Sequence, residues 1–290
     1  MTKQYGLLAF PAKHSLSPEI HGAAFKALNI DAQYGLFEIP ENELDDFVKQ
    51  VKTDLIAGLS VSLPYKEVMI NHLSEINEDA KKIGAINTVI NRSGALYGYN
   101  TDFIGSNMAL EEAIGNLKGK RVVILGAGGA ARAIIYGLLK KGAKVVGILN
   151  RTLETAESLA KEFSNMFNVQ IQPSSSENLD LKLPFKDDLG DDAILIQTTS
   201  IWTTNSDISD EDAKKFCPPE YVNLFSTVMD IIYRPRITPL LKIAENLDKK
   251  IITGDKMFLY QAAEQFKLWT EKEAPLEVMR KVLEENLVVP

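Results

Sequence analysis

A glycine-rich segment of this chain has the composition of a phosphate-binding turn. The apolar run Arg121 to Leu125 leads directly into Gly126-Ala127-Gly128-Gly129-Ala130-Ala131. A strand, a glycine turn and a helix in this order let the backbone approach a pyrophosphate, to which the helix N-terminus presents free N–H groups and the positive end of its dipole. Because an apolar strand precedes the glycines and a helical segment follows them, we predict a dinucleotide site here.

A basic residue stands where this kind of site selects its dinucleotide. The next apolar run, Val145 to Leu149, ends in Asn150-Arg151-Thr152. An acidic residue about 20 positions after the glycines usually binds the 2′-hydroxyl of NAD(H), whereas an arginine suits the 2′-phosphate of NADP(H). Arg151 therefore predicts NADP(H) as the cofactor.

The bulk composition narrows the class of protein. The chain has 290 residues, which suggests about two domains, and its hydrophobic (45%) and charged (24%) fractions are ordinary for a globular protein. A net charge of −7 argues against a nucleic-acid partner, which would require a basic face. No apolar run approaches the roughly 20 residues that span a membrane, and the N-terminus lacks a signal-peptide pattern. We expect a small-molecule substrate, no nucleic acid, no membrane, and a monomer or homodimer.

The cysteine and histidine content indicates the redox compartment of the protein and whether it has ligands for a metal ion. Cys217 is the sole cysteine, so no intrachain disulfide can form, and we expect a reducing, cytoplasmic location. The three histidines, His14, His21 and His72, do not cluster with cysteine or acidic residues at ligand spacings. We therefore predict no metal site.

Apolar strands alternate with amphipathic segments, which predicts an α/β fold. The first hundred residues form one α/β domain, a helix at 101–113 follows, and the dinucleotide domain begins at Lys120. Ser17 is the expected N-cap of the first helix, and the polar stretch 174–192 is the expected variable loop. Strands are predicted at 5–10, 32–38, 55–62, 85–91, 95–99, 121–125, 145–149, 169–171, 193–197, 227–232 and 250–253, and helices at 18–28, 41–51, 67–75, 78–83, 101–113, 130–141, 153–167, 239–246, 257–271 and 276–285.

Polar side chains recur where strands begin and end. Four such segments lie in the first 102 residues: His14-Ser15-Leu16-Ser17-Pro18, Ser60-Val61-Ser62-Leu63-Pro64-Tyr65-Lys66, Gly84-Ala85-Ile86-Asn87-Thr88 and Gly98-Tyr99-Asn100-Thr101-Asp102. Later come the glycine turn, Asn150-Arg151-Thr152, Tyr233 before Thr238-Pro239-Leu240-Leu241, and Gln261-Ala262-Ala263. With these signatures in this order, the chain resembles the shikimate dehydrogenase family from Gly6 to the C-terminal helix.

The resemblance implies two α/β domains with a cleft between them. A substrate domain comprises residues 1–105 and 257–290, to which the C-terminal helices return, and a Rossmann-like NADP domain comprises 106–256. The reaction implied is the reversible reduction of 3-dehydroshikimate by NADPH to shikimate. This is a late step on the way to chorismate and the aromatic amino acids.

The resemblance also implies roles for particular residues. Lys66 and Asp102 match the family's catalytic pair, which agrees with the chemistry, because oxidising a secondary alcohol requires a hydride acceptor and a group that takes the hydroxyl proton. Which of the two is the formal base stays open. The positions that match substrate contacts are Ser15, Ser17, Ser62, Asn87, Asp102, Tyr233 and Gln261. The positions that match cofactor contacts are Gly126, Ala127, Gly128, Gly129 and Ala130 at the pyrophosphate, Asn150, Arg151 and Thr152 at the 2′-phosphate, and Ile231 and Gly254 near the nicotinamide. Ile231 can equally be a core strand residue.

Departures from the family pattern leave alternatives open. Ser60 and Ser62 stand where Asn and Thr are common in the family. Because serine at the Ser62 position also occurs in quinate/shikimate dehydrogenases, an enzyme of that kind stays an alternative. Thr155 stands where a second basic residue is common, which keeps NAD(H) as a weaker alternative cofactor. Gln197-Thr198-Thr199-Ser200, followed by Ile201-Trp202, replaces a loop of smaller residues. A ligand-sensing regulator on the same fold is a third alternative, against which the intact Lys66 and Asp102 speak.

Overall fold

The computed structural model describes residues 2–53, 56–176, 184–202 and 210–287, which divide into two compact units. Unit 1 comprises Met1–Gly105 and Leu259–Pro290, and unit 2 comprises Ser106–Phe258. Leu55, the predicted start of the third strand, and residues 177–183 of the predicted loop lie outside the described residues. Within the described ranges, every helix is too short or too polar to span a bilayer.

Unit 1 contains a six-stranded mixed sheet with the strand order β2-β1-β3-β5-β6-β4. Strands β1, β2 and β3 are parallel, β5 is antiparallel to its neighbours β3 and β6, and β4 is parallel to β6. In the N-terminal part of unit 1, up to Gly105, the helices and strands are β1 (Lys3–Ala9), α1 (Ser17–Ala27), β2 (Ala32–Glu38), α2 (Leu44–Thr53), β3 (Ile56–Val61), α3 (Tyr65–Val68), β4 (Glu75–Ile76), α4 (Glu78–Ile83), β5 (Thr88–Arg92), β6 (Ala95–Tyr99) and the start of α5 (Asp102–Ile114).

Unit 2 contains a six-stranded parallel sheet with the order β12-β11-β10-β7-β8-β9. Parallel strands need crossover helices, which cover the faces and explain the nearly continuous apolar runs of β7 and β10. The elements are β7 (Arg121–Leu125), α6 (Gly129–Lys140), β8 (Lys144–Asn150), α7 (Leu153–Phe167), β9 (Gln172–Ser175), β10 (Ile194–Gln197), α8 (Asp210–Phe216), α9 (Pro219–Val222), β11 (Thr227–Asp230), α10 (Pro239–Asn246), β12 (Lys250–Ile252), α11 (Gly254–Thr270) and α12 (Leu276–Leu287), of which most of α11 and all of α12 belong to unit 1.

The predicted α/β class is confirmed, and the C-terminal helices do return to unit 1. Helix α12 packs against α1, near the N-terminus of the chain. Trp269 of α11 donates its indole N–H to the carbonyl of Val89 in β5 over 3.0 Å. The boundary between the units falls between Phe258 and Leu259, two residues after the predicted one.

Three local predictions are wrong for identifiable reasons. Ser17 does not cap α1: it is the first helical residue, Leu16 occupies the N-cap position, and the Ser17 N–H donates to Ser15 Oγ over 3.2 Å. The helix predicted at 67–75 is one α-turn and one 3₁₀ turn, because the Ser74 and Asn77 N–H groups instead pair with carbonyls of β6.

The strand predicted at 169–171 begins later, at Gln172. Helix α7 runs to Phe167, and Asn168 ends it in the left-handed conformation with a φ of 54°. The next residues complete that turn, so pairing with β8 starts at Gln172 opposite Gly147. The polar stretch predicted as a loop from Ser174 therefore begins within a strand, and a 3₁₀ turn follows at Lys186–Asp188.

Candidate active site

The parallel pairing of β1 and β3 brings two polar loops to one edge of the unit 1 sheet. Leu8 is in register with Val61, the Ser62 N–H donates to the Leu8 carbonyl over 2.9 Å, and the Phe10 N–H donates to the Leu63 carbonyl over 3.1 Å. The chain beyond β1 carries Ser15 and Ser17, and the chain beyond β3 carries Lys66. Both loops therefore leave the sheet side by side.

The antiparallel hairpin adds Asn87 to the same edge. The Val61 N–H donates to the Asn87 carbonyl over 2.7 Å, and the Asn87 N–H donates to the Tyr99 carbonyl over 3.0 Å. Because Asn87 precedes β5 and Tyr99 ends β6, the residues after Tyr99 must start next to Asn87. The Asn-Thr-Asp run that follows lies within reach of the chain beyond β3.

Lys66 and Asp102 form a close ion pair at this edge. Lys66 Nζ lies 2.5 Å from Asp102 Oδ2, and the side chains are only 14% and 5% exposed. The other carboxylate oxygen, Oδ1, accepts from Asn87 Nδ2 over 2.8 Å, and the Asp102 N–H donates to Asn100 Oδ1 over 2.9 Å. Each oxygen of the carboxylate thus has a donor, which fixes its orientation. An ammonium and a carboxylate held this way can pass a proton to or from a bound hydroxyl.

Helix α11 completes this cluster with Gln261. Asn87 Nδ2 donates to Gln261 Oε1 over 3.2 Å, and the Thr101 hydroxyl donates to the Gln261 carbonyl over 2.9 Å. Thr101 also donates its backbone N–H to Asn87 Oδ1 over 2.8 Å. A residue far along the chain is therefore tied to both segments of the hairpin.

The serines after β1 form a pair of their own. Ser15 donates its hydroxyl to Ser17 Oγ over 3.0 Å, and Ser17 is buried. Ser62 is partly buried and lies one residue beyond the end of β3. The structure thus places Ser15, Ser17, Ser62, Lys66, Asn87, Asp102 and Gln261 in unit 1, whereas Tyr233 belongs to unit 2 and stacks on Phe258 with ring centroids 4.3 Å apart.

The glycine turn of unit 2 fits a pyrophosphate. Gly126 has a φ of +110°, and a Cβ there would lie 2.5 Å from Thr198 Oγ1, so both its conformation and its neighbour require glycine. At Gly128 a Cβ would meet nothing within 4 Å, which leaves the backbone open to a ligand. Gly129 then begins α6, so free N–H groups stand at the start of a helix of 12 residues.

The Asn150-Arg151-Thr152 run lies next to this turn. Leu125 and Leu149 are in register at the ends of β7 and β8, and the Gly126 N–H donates to the Leu149 carbonyl over 2.7 Å. Asn150 Nδ2 donates to the Thr152 carbonyl over 3.0 Å, which holds the run in a tight turn before α7. Arg151 is exposed and forms no ion pair with any residue that the structure describes. A guanidinium so placed can bind a phosphate.

Ile231 and Gly254 meet at the exit of β11. A Cβ at Gly254 would collide with the carbonyls of Ile231 and Ile232, so only glycine allows this approach. The side chain of Ile231 is partly exposed rather than sealed in the core. Of the two interpretations of Ile231, its exposure favours a position that can line a ligand site.

A buried acid, Asp230, organises the same strand exit. Its Oδ1 accepts from the Ile232 N–H over 3.0 Å and from Gln197 Nε2 over 3.3 Å, and its Oδ2 accepts from the Thr238 hydroxyl over 2.7 Å. Burial raises the pKa of Asp230 to about 7, although these hydrogen bonds lower it. Gln197 also accepts from the Thr199 N–H, so Asp230 is linked to the segment that packs on Gly126.

Comparison with known proteins gives the family. Three family models match in order: a shikimate dehydrogenase substrate binding domain at residues 7–89, a shikimate/quinate 5-dehydrogenase model at 108–181, and a shikimate 5′-dehydrogenase C-terminal domain at 256–284. A shikimate dehydrogenase (NADP⁺) of Thermococcus kodakarensis is 40% identical over 93% of this chain and 91% of its own length. This chain belongs to the shikimate dehydrogenase family.

Solved structures of the family superpose on nearly the whole chain. A shikimate dehydrogenase crystallised with NADP⁺ superposes with a TM-score of 0.87 at 37% identity, covering 99% of this chain and 96% of that one. The Listeria monocytogenes enzyme, crystallised with shikimate and NAD, superposes with a TM-score of 0.84 at 31% identity, covering 97% and 96%. The predicted membership of the shikimate dehydrogenase family is confirmed.

Several residues of the polar clusters in this chain were not predicted from the sequence as site residues. Thr101 and Asn100 hold Asn87 and Asp102, and the run that contains them was a visible signal. Gln265 lies one helical turn after Gln261, and that four-residue spacing places both on one face of α11. Asp230 had no signal, because an acid at the end of an apolar strand looks like any exposed strand terminus until burial is known.

Proposed function

We propose that this chain is an NADP-dependent oxidoreductase that interconverts 3-dehydroshikimate and shikimate. The observation that carries the proposal is the Lys66–Asp102 ion pair, held by Asn87 at the edge of the unit 1 sheet in a chain of this family. NADP(H), when bound, accepts or supplies the hydride at the carbon that bears the reacting hydroxyl. The pair Lys66 and Asp102 takes the hydroxyl proton during oxidation and returns it during reduction. Either member can be the formal base.

The substrate is held by short polar side chains that fit between the hydroxyls of a polyol. The proposed contacts are Ser15, Ser17, Ser62, Asn87, Asp102, Gln261 and Tyr233. Asn87 is well suited, because Thr101, Asp102 and Gln261, which lie on two segments, already fix both ends of its amide. A fixed amide loses little entropy when it binds a ligand.

The cofactor is held by unit 2. Gly126, Ala127, Gly128, Gly129 and Ala130 bind the pyrophosphate, and Asn150, Arg151 and Thr152 bind the 2′-phosphate. Ile231 and Gly254 lie beside the nicotinamide. The open backbone at Gly128 and the exposed Arg151 support this assignment.

The reaction is a late step in making chorismate and the aromatic amino acids. The single cysteine, Cys217, is buried, and such sparing use of thiols suits the cytoplasm, where we place the enzyme. The assembly is a monomer or a homodimer.

A second candidate, a quinate/shikimate dehydrogenase with looser cofactor use, rests on two residues. Ser62 lacks the methyl group of the commoner threonine, and Thr155 offers no second positive charge next to Arg151. A family member crystallised with shikimate and NAD is consistent with this candidate.

Initial rates in four combinations test the proposal: shikimate or quinate, each with NADP⁺ or NAD⁺. The proposed function predicts the highest kcat/KM for shikimate with NADP⁺. A preference for quinate or for NAD⁺ favours the second candidate. Binding of shikimate without turnover in any combination would instead indicate a ligand-sensing regulator.

A further inference from the structure

A chain of side-chain hydrogen bonds runs toward Asn87 from Tyr34 on β2, an edge strand of the unit 1 sheet. The Tyr34 hydroxyl donates to Ser60 Oγ over 2.6 Å, and the Ser60 hydroxyl donates to Gln265 Oε1 over 2.8 Å. Gln265 Nε2 then donates to the Asn87 carbonyl over 2.9 Å. Ser60 and Gln265 are 4% and 2% exposed, so water does not compete for these groups.

The direction of this chain is determined by the number of protons available. Ser60 has one hydroxyl proton, which goes to Gln265, and its lone pair accepts the proton of Tyr34. The Gln265 oxygen therefore faces Ser60 and its NH₂ group faces Asn87. Without the Ser60 hydroxyl, the buried amide oxygen of Gln265 would lose this donor, and the amide would be oriented less firmly toward Asn87.

Helix α11 holds Asn87 at both ends of that residue. Gln265 donates to the Asn87 backbone carbonyl, and Gln261, one helical turn earlier, accepts from the Asn87 side-chain amide. The amide nitrogen of Asn87 in turn donates to Asp102, which pairs with Lys66. Because the hydrogen bonds form one continuous path, the position of Ser60 bears on the geometry of the ion pair.

We propose that Tyr34, Ser60 and Gln265 are positioning residues of the dehydrogenase site: their hydrogen-bond chain fixes Asn87, and through it the Lys66–Asp102 pair and Gln261. This inference rests on the proposed function and adds to it.

A matched pair of variants at Ser60 tests the proposal. Ser60→Thr and Ser60→Val add the same bulk to β3, but only threonine keeps the hydroxyl. Ser60→Thr retains most of the kcat for shikimate oxidation, whereas Ser60→Val lowers it by about 10- to 100-fold, because small displacements of reacting groups cost that much. The KM for NADP⁺ stays the same in both, since the cofactor residues belong to unit 2. Equal kcat values for the two variants would overturn the proposal, whatever their thermal stability.

Gln265→Met provides a second route if Ser60→Val does not fold. Methionine has a similar length and no hydrogen-bonding amide, so it removes the link to Asn87 from the helix side. The expected loss of kcat matches that of Ser60→Val, and Tyr34→Phe, which leaves the Ser60–Gln265–Asn87 links intact, has a smaller effect. A folded Gln265→Met enzyme with the kcat of the parent chain would contradict the proposal.

Side-chain amide NMR separates this inference from the proposed function, because it needs no substrate. The NH₂ protons of Asn87 and Gln265 exchange slowly with water in the parent chain and in Ser60→Thr, and quickly in Ser60→Val. If the parent chain does not oxidise shikimate but the amides follow this pattern, the network stands and the proposed function falls. If shikimate is oxidised and the amides of the two variants behave alike, the network falls and the function stands.

Discussion

Lys66 and Asp102 are held at 2.5 Å with little exposure to water, and Asn87 and Asn100 fix the acid from its other sides. Lys66→Ala should lower kcat by about 10²- to 10⁴-fold with a smaller effect on KM, the range for losing a positioned acid–base group. Asp102→Asn should act likewise. Steady-state kinetics measures both, with Lys82→Ala, an exposed lysine of α4, as the control. Near-normal kcat in either variant would contradict the assignment of the pair.

Arg151 follows β8, the strand next to the glycine turn, and its side chain is exposed, so it can bind a phosphate. Arg151→Ala should raise KM for NADP⁺ about 10- to 150-fold, because a charge-assisted contact is worth roughly 1.5–3 kcal/mol. KM for NAD⁺, which has no 2′-phosphate, should change little. Lys161→Ala, an exposed cation of α7, controls for general charge effects. Equal losses with both cofactors would show that Arg151 does not distinguish them.

Ser62 bears on substrate range. We expect shikimate to be preferred over quinate, because a missing methyl group in a pocket changes discrimination by only about 1–3 kcal/mol and does not by itself invert a preference. Ser62→Thr should therefore sharpen selectivity for shikimate. The measurement is kcat/KM for both acids in the parent and the variant. Unchanged or weakened selectivity in the variant would mean that residue 62 does not limit the pocket.

At the scale of elements, hydrogen bonds to the buried Asp230 hold the residues at the C-terminal ends of β10 and β11. Its pKa is raised from 3.8 to about 7 by burial, so the folded state keeps a proton that the unfolded chain loses above pH 3.8. The contribution of this residue to the free energy of unfolding should fall as the pH rises from about 4 to about 7, by an amount on the order of a few kcal/mol. Asp230→Asn should remove that fall while keeping a hydrogen-bonding side chain for Ile232 and Thr238.

Urea unfolding at several pH values measures this difference. The stability of Asp230→Asn relative to the parent should increase with pH across this window and then level off. A constant difference would show that Asp230 is ionised in the folded protein throughout.

At the scale of the whole molecule, the stability depends on pH through a second buried group, His21 of unit 1, whose effect has the opposite sign to that of Asp230 in unit 2. His21 is fully buried beside the rings of Phe25, Tyr34 and Trp269, and desolvation lowers its pKa from 6.5 to about 3. Below pH 6.5 the unfolded chain therefore binds a proton at His21, whereas the folded protein stays unprotonated there down to about pH 3. The contribution of His21 to the free energy of unfolding is consequently lost as the pH falls from 6.5 toward about 3.

His21→Phe should keep the ring and remove this acid sensitivity. Between about pH 4 and 6.5 the two groups act in opposite directions, so the parent chain should show a flatter stability profile than either single variant. His21→Phe should lose stability as the pH rises there, and Asp230→Asn should gain it. The effects should add in the double variant, because the residues belong to different units. If His21→Phe lost as much unfolding free energy as the parent chain between pH 6.5 and about 4, this explanation would be contradicted.

The sequence alone determined the elements whose signals are local. The apolar run, glycine turn and helix at 121–140 were predicted because strand, turn and helix chemistry each depend on neighbouring residues, and α7 was predicted with its observed bounds. The family was also evident, since its polar signatures are short and ordered. The prediction at 67–75 was wrong because backbone pairing with β6, which the local pattern does not reveal, decided that segment. The strand predicted at 169–171 begins later because the left-handed turn at Asn168, which ends α7, continues through those residues.

Only the tertiary structure decided which side chains share a site and which are cut off from water. Ser60 and Gln265 are separated by 205 residues, and each alone resembles an ordinary polar residue until the fold brings their side chains to 2.8 Å. The same holds for Asp230 and His21, whose titration depends on burial rather than on sequence neighbours. Desolvation and side-chain hydrogen bonds arise from three-dimensional packing. The order of residues therefore shows which chemical groups this protein has, but not their protonation states or hydrogen-bond partners in the folded protein.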